Sequence, residues 1–112
     1  MAIPLNKFRL MTTNLVSGSN IIYQENIDVS TIVLSCQITN LTTNTKTVSV
    51  QLQKSGSISN VTLLNSGYIP PYESLNPLSG KIVLERNDAF IIRTNETGVL
   101  DVVMSVLENA NN

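Results

Sequence analysis

From Thr31 to Thr39 the chain alternates. Ile32, Leu34, Cys36 and Ile38 fall on one side, and Thr31, Val33, Ser35, Gln37 and Thr39 on the other. Period two is the period of a β-strand, and one apolar face beside one mostly polar face marks an antiparallel strand covered on one side. The pattern returns along the chain. Val48, Val50 and Leu52 alternate with Thr47, Ser49, Gln51 and Gln53, and Leu100, Val102, Met104 and Val106 line a last strand. Phe8, Leu10 and Thr12 line one face of a first strand, Ile21 to Gln24 start a second, and Val61 and Leu63 mark another. Ile82 and Leu84 face inward on a strand from Lys81 to Arg86, as do Phe90 and Ile92 on the next. This makes about eight strands spaced by roughly ten residues. The β-branched Val102, Val103 and Val106 argue against a helix at the C-terminal end. Half-polar sheets must bury their apolar faces on each other, so the expected fold is all-β: an antiparallel β-sandwich, jelly-roll or Ig-like.

The connections carry their own signals. Asn, Ser, Thr and Gly fill the gaps between strands, where turns favour them. The strands on either side of Asn40–Thr45 read as a hairpin with a loop of about six residues. The longest connector starts at Tyr68 and holds Pro70, Pro71 and Pro77. Proline lacks a donor N–H and holds the residue before it extended, so this stretch crosses distance without sheet pairing. It reads as the place where the chain changes sheets, with Tyr68, Tyr72 and Leu75 anchoring it to the core edge. Asn87-Asp88 is a tight turn, and the strands after the connector read as a meander or hairpin.

At 112 residues the chain is expected to form one domain, with a short N-terminal arm (1–7) and a polar C-terminal tail (108–112). Its formal net charge is −1 and its seven Lys and Arg are scattered, so no basic field for nucleic acid is expected. No apolar run is long enough for a membrane helix, and Met1 to Lys7 does not read as a secretory signal.

Little in the chain suggests chemistry. It has no histidine and one cysteine, so zinc and a Cys–His nucleophile are not expected. Cys36 reads as a buried small hydrophobe. Glu85 and Asp88 flank one turn, but nothing places them in a cleft as an acid–base pair. No dedicated calcium loop or phosphate-cradling glycine loop occurs. The sequons at Asn40, Asn60 and Asn95 read as turn chemistry. Neither a catalytic residue, a cofactor nor a metal is expected. Such a sandwich works by contact. The candidate contact residues are Ile3, Pro4 and Leu5 in the arm, Tyr68, Pro70, Pro71 and Tyr72 in the connector, and the sheet edges.

The second half also carries a resemblance. Ile69-Pro70-Pro71, Leu75-Asn76-Pro77-Leu78, Gly80 to Glu85, Asp88, and the ending Gly98 to Glu108 are similar to small structural proteins of tailed bacteriophages. That pattern usually has a glycine where this chain has Asn87-Asp88, and Asn tolerates left-handed backbone. The resemblance implies a non-enzymatic virion component, made in the host bacterial cytoplasm and present in many symmetric copies. Its partners would be itself, as a homo-oligomer, and other virion proteins. The expected role is a tail or neck ring component. Alternatives are a capsid decoration protein and a carbohydrate-binding module of a receptor-binding assembly.

Overall fold

A computed structural model of the chain describes residues 5–25, 29–55 and 60–110. These residues form nine strands: β1 Leu5–Asn14, β2 Gly18–Gln24, β3 Val29–Asn40, β4 Lys46–Gln53, β5 Asn60–Ile69, β6 Ser74–Leu75, β7 Ile82–Leu84, β8 Ala89–Thr94 and β9 Leu100–Ala110. One sheet has the order β1-β9-β3, with β6 and β7 both on the far side of β3; the other has the order β2-β8-β4-β5. All pairings are antiparallel. The fold is an antiparallel β-sandwich.

The pairing is nested. β1 pairs with β9, β2 with β8, β3 with β7 and β4 with β5. The chain is one long hairpin with its tip between β4 and β5, wrapped so that it crosses between the sheets at every connection except β4–β5 and β6–β7. This is the jelly-roll arrangement.

Two connectivity expectations are corrected by it. β3 and β4 do not form a hairpin, because they lie in different sheets and Leu41–Thr45 arches between them. Likewise β7, β8 and β9 are not a meander. The turns after β7 and after β8 each cross between sheets. The physical reason is common to both: each strand has one apolar face, and arching lets both faces meet in a single core. Pro70 to Glu73 does cross from β5 in one sheet to β6 in the other, as Pro70 and Pro71 suggested, whereas Pro77 lies after the crossing, between β6 and β7 of one sheet.

The core is made where the alternation is cleanest. Val48, Val50, Phe90, Ile92, Leu100, Val102, Met104 and Val106 are all 0–1% exposed. On β3 the expected face is half wrong. The register against β9 slips between Val33 and Ser35, and this bulge reverses the phase. Thr31 and Val33 point inward before it, Cys36, Ile38 and Asn40 after it, while Ile32 and Leu34 are only half-buried.

Polar side chains fix the loops. Asn40 is fully buried. Its Nδ2 donates to the carbonyls of Asn44 at 2.7 Å, Ile69 at 2.9 Å and Pro70 at 3.2 Å, and its Oδ1 accepts from the Thr42 N–H and hydroxyl. Its backbone N–H also donates to the Glu73 carbonyl. The connector is therefore pinned by Asn40, with Ile69 buried and Leu75 and Leu78 packed on the core. Tyr68 and Tyr72 are not its anchors, because both rings are exposed.

Parts of the expected arm (1–7) and tail (108–112) lie in β1 and β9. Leu5 to Lys7 already pair with β9, and Glu108 is buried within β9. Residues 1–4 and 111–112 lie outside the described residues.

Candidate functional site

The sandwich has four edges, and three of them are blunted. β6 and β7 are two and three residues long, in a segment carrying Pro70, Pro71 and Pro77. β5 has two register shifts against β4, and Ser66 has φ 53°. β2 slips between Ile21 and Tyr23. Short strands, prolines and bulges are the devices by which sheets stop their edges from pairing further. β1 has none of them. Its ten residues run against β9 without a register shift, from Leu5 opposite Ala110 to Asn14 opposite Asp101. Its other side has no strand among the described residues.

The outer face of the same sheet is apolar at one end. Phe8 lies opposite Leu107, Leu107 opposite Ile32, and Ile32 opposite Val83, giving one row across β1, β9, β3 and β7. Phe8 is 73% exposed and Val83 62%. Leu10, 65% exposed, flanks the row on β1. Beside β1 runs a groove of about 490 Å³, lined by Leu10 to Thr13 and, from β2, by Asn20 to Ile22. The exposed Ile21 stands on its far lip.

Two further constellations are structural. At one end of the sandwich Tyr23 of β2 donates to the Glu108 carboxylate of β9 and shares a hydrogen bond with Thr31 at 2.8 Å. Arg9 of β1 pairs with Glu108 at 3.0 Å and Glu25 at 3.5 Å. Burial first, and then the bond to Glu108, push the Tyr23 hydroxyl up to about 12. At a β7–β8 turn, Asp88 accepts from the backbone N–H of Glu85 and Ser55 and from Lys54. Burial works to raise the Asp88 carboxyl, but the hydrogen bonds outweigh it and hold it below its usual range. Glu85 also meets Lys54, at 3.0 Å, so these two carboxylates share a lysine at a turn. Asn87 takes φ 66° there, the left-handed conformation for which glycine is otherwise used.

The proposed contact residues separate. Tyr68 and Tyr72 are 72% and 67% exposed, Pro70 and Pro71 are exposed, Leu5 starts β1, and Ile3 and Pro4 lie outside the described residues. Tyr72 closes a turn in which Glu73 N–H donates to the Pro70 carbonyl, and it has φ 58°. Sequence reasoning missed Phe8, Leu10, Ile32 and Val83 as a surface. Phe8 and Leu10 mark a face, but their period does not say which face is outside. Among the described residues no group of three or more His, Cys, Asp and Glu has metal-site geometry. Among the described residues no helix is long and apolar enough to cross a membrane.

No protein-family model matches the chain, and no curated protein matches it in sequence. Solved structures do share its fold. One is a protein of Bacillus endospore appendages, described as a novel family of disulfide-linked pili; it is 14% identical, with a TM-score of 0.55 over 96% of this chain and 89% of that one. Another is the Drosophila NLP core, described in terms of pentamer formation and histone binding; it is 8% identical, with a TM-score of 0.54 over 93% of this chain and 98% of that one. At these identities the likeness is one of fold.

Proposed function

We propose that this chain is a non-catalytic structural subunit that works by assembling in symmetric copies, and that its assembly is a tailed-bacteriophage virion, with a tail or neck ring as the first reading and capsid decoration as the second. The observation that carries the contact role is the apolar row from Phe8 to Val83 beside an unblunted edge strand. A protein that worked alone in water would have little use for either. The phage assignment rests on the resemblance of the second half of the chain. Two solved proteins of the same fold are described through assembly, as pili and as a pentamer, which supports the contact role without naming the particle. The covalent link described for the pili has no counterpart in the described residues here. Cys36 is 1% exposed, and burial pushes its thiol up to about 12, so contact between copies is non-covalent.

Quantitative peptide mass spectrometry on purified particles of the encoding phage, scaled to the major capsid protein, tests the assignment. About a dozen copies per particle indicate a ring, and hundreds indicate a decoration lattice. Absence from the particle removes the virion reading. The exposure of Tyr68 and Tyr72 keeps one reading of another class, a carbohydrate-binding module. Unchanged glycan-array binding after Tyr68→Ala and Tyr72→Ala ends that reading.

A further inference from the structure

We infer that β1 is the docking site for β1 of a second copy, in an antiparallel contact with its two-fold axis at Leu10. The inference rests on the assembly reading above and names one surface of that assembly: a two-fold contact closes at two copies, so a ring or lattice that uses it is built of dimers. Three of the four edges are closed by bulges, prolines or brevity, so an isologous contact through β1 is the strand addition the fold leaves open.

The strand's own sequence sets the register. Around a two-fold axis perpendicular to the sheet, outward residues meet outward residues, so the axis passes through a residue and not between two. Centred on Leu10, the pairing sets Leu10 against Leu10 of the second copy, Phe8 against Thr12, Arg9 against Met11 and Lys7 against Thr13. No like charges stand opposite each other. Centred on Arg9, two guanidinium groups would face each other, which strands avoid. Centred on Met11, Phe8 meets Asn14 and fewer residues of the strand overlap. The Leu10 register also covers what the monomer leaves bare. Leu10 and Phe8 are 65% and 73% exposed, and the groove lined by Leu10 to Thr13 runs along this edge. Sheet β7-β3-β9-β1 then continues into its copy, and the apolar outer row continues with it.

Two measurements on the full chain test this. The first is solution mass by light scattering, for the wild type and for Leu10→Lys. Leu10 is largely exposed, so Leu10→Lys folds, with an unchanged circular dichroism spectrum, while it sets two ammonium groups opposite each other. The wild type should run at twice the 12.2 kDa chain mass or an even multiple of it, and Leu10→Lys at half the wild-type mass or less. The second is cross-linking with a short bis-maleimide. Leu10→Cys should link to itself, whereas Phe8→Cys and Thr12→Cys should link only when mixed. The wild type, with its buried Cys36, is the blank. If the wild type assembles, but Leu10→Lys keeps its mass and Leu10→Cys does not link, the β1 contact is wrong and the assembly reading stands. Self-linking of Phe8→Cys without Leu10→Cys overturns the register. A wild type that stays monomeric at every concentration overturns both the contact and the assembly reading.

Discussion

Tyr23 and Glu108 join the two sheets: the phenol of β2 donates to a carboxylate of β9 that is itself only 7% exposed. The other partner of that carboxylate, Arg9, is partly exposed and also reaches Glu25. A buried carboxylate is tolerated only when such bonds replace its water. Tyr23→Phe should therefore cost about 1.5–3 kcal/mol in urea unfolding, the worth of a hydrogen bond to a charged group. Glu108→Ala should cost about 2 kcal/mol, since Arg9 can relax toward solvent and Glu25. In the double-mutant cycle the two losses should be less than additive. Full additivity would show that the bond contributes nothing to stability.

Alkali should weaken the fold before it ionises these groups in the native state. Tyr23 and Cys36 are both held at about 12, against 10.0 and 9.0 for the free groups. A raised folded value gives stability that is complete below the unfolded value and is lost as pH rises toward the folded one. For Cys36 the window is pH 9 to 12 and for Tyr23 pH 10 to 12. At about 1.4 kcal/mol per pH unit, Tyr23 accounts for about 3 kcal/mol of the fall. The stability gap between wild type and Tyr23→Phe should shrink across pH 10 to 12. A gap that stays constant contradicts the placement of the phenol.

Asn40 is expected to be among the most sensitive positions. Asn40→Ala removes the donor to the buried Ile69 carbonyl and the acceptor for Thr42, and frees the connector. Each buried polar group left unpaired costs about 1–3 kcal/mol, so a total loss of about 3 kcal/mol is expected by chemical denaturation. A loss within 0.5 kcal/mol, roughly the range of a surface change, would mean that the connector holds itself in place.

Tyr72 is the opposite case. Its backbone sits at φ 58° and its ring is mostly in solvent. Left-handed backbone costs a non-glycine residue about 1–3 kcal/mol, and glycine gives back part of that through unfolded-state entropy. Tyr72→Gly should raise stability by about 1 kcal/mol. Calorimetry showing a clear loss would mean that the ring packs where it stands.

The layers of this fold were legible in the sequence because burial enforces period two. Val48-Val50-Leu52 and Leu100-Val102-Met104-Val106 point where their alternation says. Pro70 and Pro71 marked a sheet crossing, since they cannot pair, while Pro77 lies beyond it between two strands of one sheet. Connectivity was not legible. A short polar loop such as Leu41–Thr45 closes a hairpin or arches between sheets with the same composition, and only the nested long-range pairing decides. The bulge at Val33–Ser35 was invisible because Ile32, Val33 and Leu34 are all apolar, so neither phase is penalised. Glu108 looked like the start of a polar tail because its partners Tyr23 and Arg9 are 85 and 99 residues away. Tyr68 and Tyr72 are exposed, so the anchoring role their sequence context suggested was not upheld. The outer row was missed because each of its four residues comes from a different strand.

Native mass spectrometry of the 112-residue chain over a wide concentration range tests the central claim, assembly of identical copies, most directly. The result expected is one dominant multiple of 12.2 kDa, or a growing series of even multiples, that persists on dilution. A single 12.2 kDa species at every concentration would contradict it.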